Sequence, residues 1–162
     1  MPVIHITTKI NAPFQRCFDL SRSIDLHVVS TKSTNEKAIA GVTSGLIGLN
    51  EEVTWRARHF GIYQQLTTRI TAFESPTFFE DKMVKGIFKK MEHKHFFEQQ
   101  GTHTIMKDEF IVEAPYGLLG KLSHLILVPY MRHFLIQRND TIKEVAESTQ
   151  WELVLPRNEK PC

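Results

Sequence analysis

The chain has 162 residues, of which 41% are hydrophobic and 23% charged, so it is long enough for one domain with a sizeable core and too short for two. Its net charge of +2 comes from dispersed Lys and Arg, which gives no electrostatic footprint for nucleic acid, and eleven Phe are the one compositional excess. The two cysteines, Cys17 inside a predicted helix and Cys162 at the last position, do not read as a disulfide pair, and the alternating start MPVIHITTKI lacks the charged and apolar regions of a signal peptide. A cytoplasmic location is expected, without integral membrane association.

In chain order, Val3 to Ile10 alternates as a first strand. Asn11 and Pro13 then mark a helix start, giving a short helix from about Pro13 to Leu20, and Ser23 with Asp25 starts a second that runs to about Val29. Glu36 to Ala40 reads as a second strand. Leu49 to His59 alternates with Val53, Trp55 and Ala57 on one side and Thr54, Arg56 and Arg58 on the other. Phe60-Gly61 is a turn, Tyr63 to Phe73 is the next strand, and Ser75-Pro76 breaks it. Strands follow over Thr77–Val84, Phe88–Glu98 and Thr102–Val112, separated by short turns, the pattern of an antiparallel meander. From Leu118 to about Ser148 apolar residues recur at helical spacing, interrupted only by Pro129; Lys121, His124, Arg132 and His133 make this stretch too polar for a membrane span.

The fold class expected from this order is α+β: a curved antiparallel sheet wrapped around a long C-terminal helix, with two short helices after strand one. A sheet this large must bury one face, and the long helix is the only element able to cover it. The gap between them is the candidate cavity. One domain is expected over residues 1–156, with 157–162 a tail.

The strand carrying His93, His95 and Phe97 places three side chains on one face. A two-residue turn at Gln100-Gly101 would set Phe97 opposite Thr104, His95 opposite Met106 and His93 opposite Asp108. Pairing across the Gly86 turn brings Asp81 near His93 and Phe79 near His95. A His93 held between Asp81 and Asp108 is then expected as the imidazolium. The inward positions Trp55, Phe79, Met83, Met91, Phe97, Met106 and Phe110 would line the cavity, with Leu122, Leu125, Ile126, Tyr130, His133 and Phe134 as its helical cover. The residues expected to touch a ligand are Trp55, Phe79, Asp81, Met83, His93, His95, Phe97, Met106, Asp108, Phe110, Leu122, Ile126, Tyr130 and His133. No closely spaced Cys/His set, P-loop or dinucleotide-binding glycine pattern occurs, so no metal and no cofactor are expected.

The segments INAPFQRCFDL, FFEDKMVKGIFKKMEHKHFF and APYGLLGKL, in this order of elements, resemble the START/Bet v1-like (SRPBCC) superfamily. More narrowly, the chain resembles a bacterial ligand-binding branch that combines Phe79/Asp81, Gly86/Phe88, His93/His95/Phe97, Thr104/Asp108 and Pro115/Gly117. The resemblance implies the helix-grip fold and an apolar cavity for a small hydrophobic molecule such as a lipid, quinone or polyketide. It does not imply one activity. Carrier or sensor is the first expectation. A cyclase or dehydratase using His93 with Asp81 or Asp108 is the second, and a protein-interaction module the third. Oligomeric state has no signature in the sequence.

Overall fold

Seven segments are strands, and in the longer ones apolar and polar residues alternate so that one face turns inward. The computed structural model describes residues 2–115 and 117–156, with side chains at 2–115 and 125–156. The strands are β1 (Val3–Ile10), β2 (Lys37–Gly41), β3 (Glu52–His59), β4 (Ile62–Glu74), β5 (Phe78–Lys85), β6 (Lys90–Gln100) and β7 (His103–Glu113). They form one antiparallel sheet in the order β1-β7-β6-β5-β4-β3-β2. Register shifts in the β2–β3 and β4–β5 pairs mark bulges, which bend strands and let the sheet curl.

Two helices, α1 (Phe14–Ser21) and α2 (Ile24–Ser30), follow β1, as expected. In α2 the Ser23 hydroxyl accepts from the Leu26 N–H at 3.2 Å, the bond that an N-cap serine makes. In α1 the cap residue is Pro13, and the Phe14 N–H instead donates to the Gln99 side chain of β6 at 2.8 Å. The long helix α3 spans Gly117–Glu147 with Pro129 inside it, and a short α4 (Trp151–Val154), which periodicity does not reveal, follows. Residues 157–162, expected as a tail, lie outside the described residues.

Phe18 is fully buried and meets the rings of Phe73, Phe79 and Phe97 edge to face at 5.2, 5.5 and 5.4 Å, joining α1 to β4, β5 and β6. A second cluster of Ile4, Met91, Phe110, Val112, Met131 and Leu135 joins the other end of the sheet to α3.

Two expectations about packing change. The β6–β7 loop is Gly101-Thr102, not Gln100-Gly101: Gln100 pairs with His103, so Phe97 faces Met106, His95 faces Asp108 and His93 faces Phe110. Gly101 has φ +60 and takes the first central position of the turn, where glycine relieves the positive φ. Moving the turn by one residue shifts the register by two, which keeps every side chain on its face but changes its neighbour. The pairs Asp81–His93 and Phe79–His95 across β5–β6 are as expected.

The inward stripe of α3 is also displaced. Leu125 and Ile126 are 72% and 68% exposed and His133 is exposed, while Met131, Leu135, Arg138, Ile142, Val145 and Ala146 are buried. The run LILVPYM at 125–131 is apolar all round, so its composition leaves the helical phase open. The polar residues that would reveal the phase, Arg138 and Asn139, are themselves buried.

Candidate functional site

Between the concave face of the sheet and the helices lie two adjoining chambers, of about 150 Å³ and about 80 Å³. His27, Trp55, Thr68, Asp81, His93 and Arg138 line both and form the waist between them. The larger chamber is walled mainly by Phe88, Met91, Phe110, Leu127, Met131, Phe134 and Leu135, with Ala57 under it and His59, Glu36 and Tyr130 at one end. The smaller is lined by Ile24, Ile47, Val53, Ile70, Phe79 and His95, with Ser21, Arg22 and Ser23 beside them. Phe60, Ile87, Phe88 and Leu127 also border an open depression that includes Ile126, so the larger chamber adjoins the surface between the Phe60 hairpin and the turn after β5.

The waist is held from behind by a buried polar network. Asp108, on β7, accepts from His93 Nε2 at 2.8 Å and from Asn139 Nδ2 at 2.7 Å. Asn139 also accepts from Arg138 Nη1 at 3.1 Å, and Arg138 Nη2 donates to the Ser21 carbonyl at 2.9 Å, which ties α3 to α1. His95 donates through Nε2 to Asp81 Oδ1 at 3.2 Å; its Nδ1 lies 3.1 Å from Asp108 Oδ1 but out of line for a hydrogen bond. The imidazole between two carboxylates is therefore His95, not His93.

Burial works against charge throughout this network. For Asp108 and Asp81 it pushes the pKa upward, yet the neighbouring imidazoles of His93 and His95 prevail, holding Asp81 below and Asp108 well below the usual carboxylate range. His93 is pushed down to about 4 by burial first and by His95 second, its ring only 3.8 Å from that of His95, against the pull of Asp108 and Asp81. The expected imidazolium is thus replaced by a neutral ring. Since an ionised Asp108 can only accept, that ring carries its proton on Nε2 and leaves Nδ1 as a lone-pair acceptor. Among the described residues Nδ1 has no partner.

From the waist toward the other end of the larger chamber, His27 Nε2 lies 3.4 Å from Glu36 Oε1 and its ring lies tilted against Trp55, and Tyr130 Oη and His59 Nδ1 are 2.7 Å apart. Burial pushes Glu36 up, but His27 and His59 hold it below its ordinary value, and burial pushes His59 down.

Of the residues expected from the sequence to touch a ligand, Trp55, Asp81, His93, Phe110 and Tyr130 line the larger chamber, and Phe79 and His95 the smaller. Phe97 and Met106 pack in the core around Phe18, Met83 packs in the second cluster, and Asp108 stands behind His93; none of these four lines a chamber. Ile126 lies at the mouth and His133 on the outer face of α3. The side chain of Leu122 lies outside the described residues. His27, Glu36, His59, Arg138 and Asn139 were not anticipated. Arg138 had a signal: it stands four residues after Phe134 and four before Ile142, a cation in an apolar helical stripe. His27 and Glu36 had none, because only the fold brings α2 beside β2 and β3.

Asp81, His93 and His95 offer ligand atoms within 4.8 Å of one another, a donor set that suits zinc by type. In the protein the three side chains already bond to each other and to Asp108 through His95 Nε2, Asp81 Oδ1 and His93 Nε2, and the Arg138 guanidinium lines the same chambers, which opposes a second cation. Among the described residues no helix is long and apolar enough to cross a membrane.

No family model matches the sequence, and no curated protein matches it significantly. Solved structures do. The protein TTHA0849 from Thermus thermophilus superposes with a TM-score of 0.73 at 16% identity, over 88% of this chain and 95% of that one. A START superfamily protein from Mycobacterium smegmatis gives 0.68 at 11% identity, over 88% and 98%. The fold is the START/Bet v1-like helix grip. The Zhui aromatase/cyclase from a Streptomyces species shares this helix grip at a TM-score of 0.68 and 11% identity, over 90% and 93% of the two chains. At such identities the likeness speaks of the fold alone.

Proposed function

We propose that the protein binds a compact hydrophobic molecule in the two chambers, as a carrier or sensor, with the polar waist orienting it. The observation that carries this reading is the accessibility of Asp81. Its carboxylate sits in the middle of the concave face, yet 18% of the side chain remains accessible, and both chambers border it. A few polar groups presented inside a mainly apolar enclosure are the ordinary design of a ligand site.

Size narrows the occupant. A cavity of about 150 Å³ is the size that admits one benzene ring, and the adjoining chamber of about 80 Å³ adds room for part of a second. One or two rings fit chambers of this size better than a lipid chain or a sterol. Each 100 Å² of apolar ligand surface buried would contribute roughly 2.5 kcal/mol before ordering costs.

The neutral state of His93 favours binding over turnover. A base with a pKa of about 4 accepts a hydrogen bond readily but is poorly matched to proton transfer near neutrality. Native mass spectrometry of protein purified from its own host should show a small apolar adduct. Ala57→Trp, which projects an indole into the larger chamber, should lose it while keeping the native circular dichroism. Absence of any adduct, together with failure to take up one- or two-ring aromatic probes, would refute the reading.

A further inference from the structure

Resting on the cavity reading above, we infer that the ligand carries a hydrogen-bond donor, a phenolic or alcoholic hydroxyl, which seats at the waist, and that carboxylates are rejected there. At the waist Asp81, His93 and Arg138 each present polar atoms without protein partners among the described residues, and His27 Nε2, 3.4 Å from Glu36 Oε1, makes no hydrogen bond either. Asp81 uses Oδ1 for His95 and leaves Oδ2 open. His93 uses Nε2 for Asp108 and leaves Nδ1 open, and the 8% of its side chain that stays accessible faces the two chambers it lines. Arg138 engages Nη1 and Nη2 with Asn139 and Ser21, and its remaining N–H groups border the same space.

Asp81, His93 and Arg138 together therefore offer two acceptors and a donor. A ketone or ester brings only acceptors; it would satisfy Arg138 and leave Asp81 and His93 dry and unpaired, which costs free energy. A carboxylate brings only acceptors and a negative charge. The buried carboxylates Glu36 and Asp108 and the half-buried Asp81 already face one buried guanidinium, Arg138, so a fourth carboxylate would meet net repulsion. A hydroxyl donates its proton to Asp81 or His93 and accepts from Arg138 on the same oxygen. The Thr68 hydroxyl, buried and bordering both chambers, can bond in either sense.

Four probes of one shape test this on the full chain near neutral pH: 2-naphthol, 2-methoxynaphthalene, naphthalene and 2-naphthoate, followed by calorimetry or probe fluorescence. A hydrogen bond to a charged acceptor predicts that 2-naphthol binds about 10- to 100-fold more tightly than naphthalene or the methyl ether, with 2-naphthoate weakest. Asp81→Asn turns an acceptor into a donor and acceptor, so the naphthol advantage should shrink and naphthoate should gain. Should that variant fail to fold, the order of the four probes on the unmodified protein still decides. Equal affinity for naphthol, its methyl ether and naphthalene, or tightest binding of naphthoate, overturns the inference and leaves the cavity reading standing. Binding of none of the four overturns both.

Discussion

Replacing His93 with Gln tests the electrostatics of the site most directly, because it keeps an N–H for Asp108 and removes a titrating group. In the folded protein His93 titrates at about 4, against 6.5 when unfolded. As pH falls below 6.5 the unfolded chain takes up a proton at this position while the folded chain does not. The stability present above 6.5 is therefore lost progressively as pH falls toward 4, at about 1.4 kcal/mol per pH unit in mid-window. Between about pH 7 and pH 4.5 the loss from this residue amounts to roughly 2.5 kcal/mol. Asp81 and Asp108, whose folded values lie below 3.8, begin to lose their contribution only at lower pH, so the two effects separate. His59 is also lowered and acts in the same window, which is why the comparison must be between unmodified protein and variant rather than between two pH values alone. Urea unfolding of both proteins across this range should show the unmodified chain falling more steeply, the gap approaching about 2 to 3 kcal/mol. Parallel profiles, or an NMR titration of the His93 ring with a midpoint at about 6 or above, would refute the neutral, desolvated His93 whose Nδ1 serves as an acceptor at the waist.

Asn139→Leu removes a clamp from the buried carboxylate of Asp108 and a partner from Arg138; about 2 to 4 kcal/mol of stability should be lost in denaturant unfolding at neutral pH, and a loss below about 0.5 kcal/mol would show that the network tolerates the missing partner. Phe18→Ala opens the ring cluster that joins α1 to three strands. A loss of about 3 to 5 kcal/mol is expected from thermal or urea unfolding, and a cost of about 1 kcal/mol would mean that the helices settle into the gap.

Sequence and tertiary structure contributed differently to this site. The alternation of β3 through β7 was enough to place Trp55, Phe79, Asp81, His93, His95 and Phe110 on the concave face, because side-chain direction along a strand has a period of two and does not depend on register. Which of them touch was not legible. One residue's difference in where Gly101 sits in its turn decides whether His93 or His95 stands opposite Asp108, and a turn admits more than one placement of a glycine until the strand ends are known.

The helix was less readable than the strands. The existence of α3 follows from its length and from the spacing of its apolar residues, but an all-apolar turn has no face, and burial of Arg138 and Asn139 inverts the usual rule that polar residues point outward. The protonation of His93 was beyond reach for the same reason. Sequence supplies the carboxylates that would charge the ring, whereas desolvation and the adjoining His95 ring, which keep it neutral, exist only once the strands have closed over it. Local order, and facing along the strands, were thus settled by the amino-acid sequence itself through periodicity. Contact, burial and charge state, and with them the waist of Asp81, His93 and Arg138, were settled only when segments distant in the chain met.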